Sequence, residues 1–307
     1  MESFLVAVNA VIPFFCYLAL GYTMKIKGVV SEEFLQKLNQ MVFRVFYPFM
    51  TFYNIYKADA ESLPRPLLLI FTGASILIVI VPKIVKENPR RGVIIQAIFR
   101  SNFVLFGLPL TIAVFGDSAA SIAAMMVTVV VSIYNTTSVF ILEMFNGEGK
   151  SDIKKTLKAV VTNPLLQGAV VGLIFFFLGI KLPGSLVTPI AAFSNMTSPL
   201  AIYVLGGTLQ FRAIRKNLKY LVPTLTCKLF FLPAIIIAIA YAFGLRGLEL
   251  FLLIAVYATP VAAASYPMAQ NMGGDGELAG QFVVISTAVS MFTLFLWIFF
   301  MKSVGLI

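Results

Sequence analysis

The sequence predicts an all-α integral membrane protein of ten transmembrane helices, built as two inverted five-helix repeats whose fourth and ninth helices are broken and cross. Three observations predict it. Hydrophobic residues make up 60% of the chain and charged residues 12%, and mean hydropathy is +0.95, far outside the soluble range. Ten apolar stretches are long enough to cross a hydrocarbon core of roughly 30 Å. Finally, punctuating residues recur in register: Pro109, Gly116 and Asp117 fall on Pro267, Gly274 and Asp275, and Val131-Ser132 on Val289-Ser290, at one constant offset.

The spans follow in order. Span 1 (4–24) could pass for a signal peptide, but Glu2 and no Lys or Arg precedes it and its apolar run is too long. Span 2 (35–56) carries Arg44 and Pro48 and span 7 (185–209) carries Pro189, Asn195 and Pro199; such groups demand burial against protein, since lipid cannot satisfy them. Span 3 covers 66–85. Span 4 (92–115) contains Arg100, Asn102, Gly107 and Pro109, and span 5 (119–145) a mid-span polar band of Ser132, Tyr134, Asn135, Thr136 and Thr137. Span 6 covers 158–180. Span 7 ends in Gly206-Gly207, small enough for close helix packing or a hinge. Span 8 (219–243) holds Lys228, span 9 (248–272) holds Thr259-Pro260 and Ser265-Tyr266-Pro267, and span 10 covers 277–301. The first repeat is 1–145, a short polar linker 146–157, and the second repeat 158–307.

Basic residues orient the chain, because retained cytoplasmic loops carry the Lys and Arg excess. The loops after spans 1, 3, 5 and 7 hold Lys25, Lys27, Lys37, Lys83, Lys86, Arg90, Arg91, Lys150, Lys154, Lys155, Lys158, Arg212, Arg215, Lys216 and Lys219; the opposite face holds only Lys57, Arg65, Lys181, Arg246 and Lys302. A multi-pass protein of the cell membrane with both termini extracytoplasmic is expected. These loops account for the net charge of +10 through anionic lipid headgroups, so no nucleic acid partner is called for. Cys16 and Cys227 lie in separate spans and read as small buried residues, not a disulfide or a metal cluster.

Two units of five helices enter the membrane from opposite sides, so the repeat is inverted. Pro48 and Phe52 match Pro199 and Tyr203, and Leu20-Gly21 matches Leu178-Gly179; a longer first loop, 25–33, absorbs the change of offset.

Proline removes a backbone donor and obstructs the preceding turn, so span 4 should unwind at Gly107-Leu108-Pro109 and span 9 between Thr259-Pro260 and Ser265-Tyr266-Pro267. Unwound backbone at membrane depth survives only beside protein or a watery cavity. The two breaks occupy equivalent places and should meet near the midplane. Freed amides at half-helix starts favour an anion, with Asn102 adding an amide and Thr259, Ser265 and Tyr266 adding hydroxyls. Arg100, deep in span 4, either meets a substrate carboxylate, snorkels to headgroups, or bonds to carbonyls of the broken helix. Asn135 either lines the cavity or bonds between helices. There is no His, and no carboxylate lies in the middle of a span; Glu143, Asp117 and Asp275 sit near ends. No nucleotide loop, zinc motif or catalytic constellation is visible, so the reading is no enzyme, no metal and no cofactor.

Ser101-Asn102 followed by Gly107-Leu108-Pro109-Leu110, Asn163-Pro164-Leu165, Ser198-Pro199-Leu200-Ala201 through Gly206-Gly207-Thr208-Leu209, and Ala258-Thr259-Pro260 through Gly273-Gly274-Asp275 together resemble the auxin efflux carrier family, PIN-like carriers and malonate or malate permeases. The resemblance covers nearly the whole chain. It implies a fold shared with bile-acid/sodium symporters, with spans 1, 2, 6 and 7 as scaffold and 3 to 5 with 8 to 10 as a moving crossover domain. It also implies elevator-type alternating access, small organic acids as substrates, and room for a homodimer through the scaffold. Asn102 corresponds to an asparagine that contacts substrate carboxylate in plant relatives. Two departures matter: the linker is short where plant carriers have a long loop, and span 9 lacks the glutamate of sodium-coupled relatives. The coupling ion, proton or sodium, stays open. The rivals are an ion-coupled transporter of a neutral or amphipathic solute and a non-transporting membrane sensor.

Overall fold

The computed structural model describes residues 2–58, 66–68, 72–73, 88–145, 158 and 161–307. Most of span 3, the linker 146–157, and Arg65, Lys83, Lys86, Lys150, Lys154 and Lys155 lie outside the described residues. Within them helices are joined by turns and loops, with one isolated antiparallel bridge, Ser101 to Val261. The helices are α1 (Glu2–Ile26), α2 (Glu32–Met41), α3 (Tyr47–Tyr56), α4 (Asn88–Phe99), α5 (Leu108–Phe115), α6 (Ala120–Met144), α7 (Pro164–Leu178), α8 (Gly184–Thr208), α9 (Phe211–Thr226), α10 (Leu232–Ala242), α11 (Gly247–Tyr257), α12 (Ser265–Asn271) and α13 (Gly276–Ser303). Ala120–Met144, Ile214–Ala242 and Gly276–Ser303 are each long and apolar enough to cross a membrane. Large apolar side chains such as Phe177, Val161, Phe231, Phe292 and Phe299 point outward, as a lipid-facing surface requires. The molecule is a membrane protein.

Helix ends follow their local chemistry. Ser31 caps α2 by accepting from the Phe34 amide at 3.0 Å, Asn163 caps α7 ahead of Pro164 by accepting from Leu165, and Asp275 caps α13 by accepting from Leu278 at 2.9 Å. Asp275 also accepts from Arg90 Nε at 3.0 Å, tying the start of α4 to the start of α13. The Tyr220 hydroxyl and this carboxylate push the Arg90 guanidinium further up its already basic range.

Three π-helical turns, Val42–Phe46, Phe103–Gly107 and Cys227–Phe231, each run straight into a helix whose second residue is proline: Pro48, Pro109 or Pro233. In each, the residue before the proline donates to the carbonyl five positions back. This widened turn accommodates a residue that has no N–H of its own. It also frees carbonyls, one of which, Leu229 O, accepts from Trp297 Nε1 at 2.8 Å.

The break in span 4 sits differently from the sequence expectation, and that in span 9 sits where expected. Span 4 leaves the helix at residues 100–102, about two turns before Pro109, which starts α5 instead; span 9 opens over 258–264, through Thr259-Pro260, with Pro267 in the first turn of α12. A helix's first amides need no intrahelical partner, so proline is tolerated there.

Glycine sets the closest helix approaches. A Cβ on Gly21 would strike the Tyr203 carbonyl, and one on Gly206 the Leu18 carbonyl, so α1 and α8 touch backbone to backbone. Gly168 meets the Pro48 carbonyl and Gly172 the Phe52 carbonyl in the same way, locking α7 on α3. Cys16, expected buried, is exposed on α1, and Cys227 is half-buried; both are free thiols.

Candidate functional site

The two broken segments meet through their backbones. Asn102 N–H donates to Pro260 O at 2.7 Å, Ser101 bridges Val261, and the Val261 N–H donates to Ser286 Oγ on α13 at 2.9 Å. Each bond satisfies a group that unwinding released and that lipid could not satisfy.

A cavity of about 50 Å³ lies at this junction, lined by Arg100, Ser101, Asn102, Tyr134, Asn135 and Ser198 together with Tyr47 and residues 262–264. That is room for a few waters. It continues into a 400 Å³ vestibule that shares Met50, Val104, Leu105 and Ser198 with it and reaches Lys57, Asn195 and Asn54. On the opposite side, beyond Ser265 and Tyr266, a polar cavity of about 300 Å³ is lined by Glu32, Gln36, Asn39, Gln270, Asn271 and Glu277. The Tyr266 hydroxyl meets Thr208 Oγ1 at 2.7 Å at its edge.

Arg100 is buried and faces α6: Nη1 donates to Ser138 Oγ at 2.9 Å and Tyr134 O at 3.3 Å, and Nη2 to Asn135 Oδ1 at 2.8 Å. It does not reach for headgroups. Asn135 passes the tie on, donating through Nδ2 to Thr51 Oγ1 at 3.4 Å. Asn102 Nδ2 and Ser265 Oγ, one from each broken helix, are buried without a hydrogen-bond partner among the described residues. Orphaned donors at membrane depth cost about 1–3 kcal/mol each.

Of the residues singled out by sequence, Arg100, Asn102 and Asn135 line the central cavity and Ser265 is buried next to its wall residue Ala264. Thr259 turns away, donating to Ala255 O at 2.8 Å. Gly107 is buried off the cavity, where a Cβ would press on the Phe103 ring and the Ala255 carbonyl. Tyr266 faces the polar cavity instead. Sequence reasoning passed over Tyr47, whose only signal was its place before Pro48, and noted Ser198 only as the neighbour of Pro199. No group of three or more His, Cys, Asp or Glu that could hold a metal ion occurs among the described residues.

Comparisons with known proteins agree with a transport role. A family profile described as membrane transport protein matches residues 6–298. The chain is 25% identical over 285 residues to an uncharacterized transporter of Methanothermobacter thermautotrophicus, covering 91% of this chain and 93% of that protein. It is 23% identical over 293 residues to the uncharacterized transporter MJ1031 of Methanocaldococcus jannaschii, with 91% and 93% covered. The chain belongs to the membrane transport protein family, the auxin efflux carrier-like group, and is a membrane transporter and not an enzyme.

Proposed function

We propose that this transporter is a secondary carrier of small organic anions, carboxylates of the malate, malonate or auxin-like kind, bound where the two broken helices cross. One observation carries the reading: Asn102 Nδ2 and Ser265 Oγ are buried, unpartnered donors contributed by both broken helices beside a cavity that a buried arginine also lines. Donors with no acceptor, next to a positive charge and with no lining carboxylate, suit an anion. Asn102 and Ser265 hold the carboxylate; Arg100 sets the potential and fixes Asn135.

The same reading takes the protein as ten helices in two inverted repeats in the cell membrane, with both termini outside. The glycine-locked pairs, α1 on α8 and α3 on α7, are its scaffold; α4 to α6 and α9 to α13 form the crossover domain, which slides against it as an elevator. A vestibule on the Lys57 side and a Tyr266–Thr208 contact on the other fit a state open toward the outside. The apolar groove along α3, α7 and α8, lined by Phe49, Phe52, Phe175 and Phe193, is the scaffold face offered to a second copy.

Proteoliposome counterflow with malate, malonate, lactate and an indole carboxylate, against neutral analogues, tests the reading. Saturable exchange of acids alone, lost in Asn102→Ala, is expected. Exchange of the neutral analogues would favour a neutral-solute carrier, and unchanged anion exchange in Asn102→Ala would remove the site from the crossing.

A further inference from the structure

Lys228 is wholly buried on the π-helical turn between α9 and α10, and the anion site described above does not use it. Among the described residues its ammonium has three oxygen partners: Ser101 Oγ at 2.5 Å, Tyr257 O at 3.3 Å and Ile98 O at 3.4 Å. The two carbonyls are not arbitrary. Ile98 lies in the last turn of α4, which ends at Phe99, and Tyr257 is the last residue of α11. These are the ends of the first half of each broken helix.

The last carbonyls of a helix lack intrahelical partners, and each helix end carries roughly half a negative charge. Two such ends converging at membrane depth therefore present about one negative charge. Ile98, Tyr257 and Lys228 are all buried, so bulk water screens this charge little. A single ammonium supplies one positive charge and three N–H donors, matching both the charge and the number of acceptors. None of the three partners is a carboxylate, so the helix ends themselves act as the counter-charge. The wide turn Cys227–Phe231, forced by Pro233, is the device that places this side chain.

We infer that Lys228 is a tethered counter-cation for the crossing: it holds the two half-helix ends together so that no mobile metal cation is required there, and it acts through Ser101 on the adjoining anion site. The second half of this inference rests on the anion-carrier reading. Ser101 lines the same cavity as Asn102 and Arg100. With its oxygen engaged by the ammonium, its own hydroxyl proton points to the Tyr134 phenol, which lines the same cavity. A cation that is part of the chain cannot leave on each cycle, so sodium coupling through this position is unavailable to the protein. Lys228 is a positioning residue, one that does not itself touch the substrate.

Thermal unfolding of the purified transporter in lipid nanodiscs, without substrate, isolates the first half. Wild type, Lys228→Arg, Lys228→Met and Lys228→Ala are compared in sodium chloride and in an equal concentration of N-methylglucamine chloride. Wild type should melt identically in both. Lys228→Met should lose several degrees in both, Lys228→Arg should retain most of the stability, and Lys228→Ala, which leaves space, should be partly restored by sodium and not by N-methylglucamine. Stabilisation of wild type by sodium, a Lys228→Met variant as stable as wild type, or an alanine variant indifferent to sodium would overturn the counter-cation. If the alanine and methionine variants do not fold, the wild-type comparison and Lys228→Arg decide.

The second half is read by malonate counterflow. Ser101→Ala should raise the KM for malonate by about tenfold or more, the loss expected from a hydrogen bond involving a charged group, with its maximal rate little changed and its melting temperature lowered, because the buried ammonium loses an acceptor. An unchanged KM would detach Lys228 from the anion site. Absence of malonate exchange in wild type would instead count against the anion reading and leave the unfolding result standing.

Discussion

Replacing Tyr266 with phenylalanine should open the polar cavity at the Glu32 and Gln270 side. Thr208 Oγ1 lies 3.0 Å from Val204 O and 3.2 Å from Leu205 O, so its proton is given to its own helix and the Tyr266 hydroxyl is the donor in their 2.7 Å contact. That bond ties α12, in the crossover domain of our proposal, to α8, in its scaffold. The phenylalanine ring keeps the packing against Gly280, and the freed Thr208 oxygen faces a polar cavity where water replaces the lost donor. The net loss is then that of an ordinary neutral hydrogen bond, about 1 kcal/mol. If the bond exists only while this side is closed, the ratio of open to closed forms rises about fivefold. A variant lacking Cys16 and Cys227 and carrying Gln270→Cys reports the change through its labelling rate by an impermeant maleimide in inside-out vesicles. Labelling unchanged or slowed by Tyr266→Phe would refute the contact as a closing tie.

Three further substitutions test the framework. Gly206→Ala places a Cβ 2.9 Å from Leu18 Cα and closer still to its carbonyl oxygen, so α1 and α8 must separate, at a cost of about 1–3 kcal/mol or more; Gly184→Ala, where nothing lies within 4 Å, is the control, and equal melting temperatures would contradict the close approach. Ser286→Ala orphans the buried Val261 amide, costing about 1–3 kcal/mol and speeding hydrogen exchange at Val261, whereas unaltered exchange would show that another acceptor takes over. Asp275→Ala removes both the α13 cap and the partner of Arg90, about 0.5–2 kcal/mol for the cap and under about 1 kcal/mol for a half-exposed ion pair; Asp275→Asn keeps the cap, so only its smaller deficit should vanish at high salt.

The helices among the described residues were legible where each is written locally: an apolar run bounded by charge or by Gly, Pro and Asn. Asn163-Pro164 announces α7 and Gly179, at φ +64°, ends it. Thr259-Pro260 marked the break in span 9; what local pattern could not give was the place of the break in span 4. Pro109 and Pro267 mark helices about to start, and where the preceding backbone unwinds depends on a partner far away in sequence, since Ser101 leaves the helix where Val261 can receive it. The π-helical turns were invisible for a related reason, because a proline announces a missing donor and not how the turn before it will adjust.

Charge was the loudest signal at the site and the most ambiguous one. A buried guanidinium or ammonium is costly to leave unsatisfied, so folding supplies most of its partners: Arg100 spends Nη1 and Nη2 on α6 and keeps Nε unpartnered among the described residues, and Lys228 spends its bonds on two helix ends and Ser101. Both cations therefore anchor the stretch from Ile98 to Ser101, and Lys228 needs no ligand to account for its presence. An amide is cheaper to strand. Asn102 follows directly on this doubly anchored stretch, its backbone held by Pro260 and its side-chain donor unspent. Rigid backbone with an unspent donor is how a site stores recognition before its ligand arrives, which makes the neutral Asn102, as well as the charge beside it, a residue on which substrate specificity should turn.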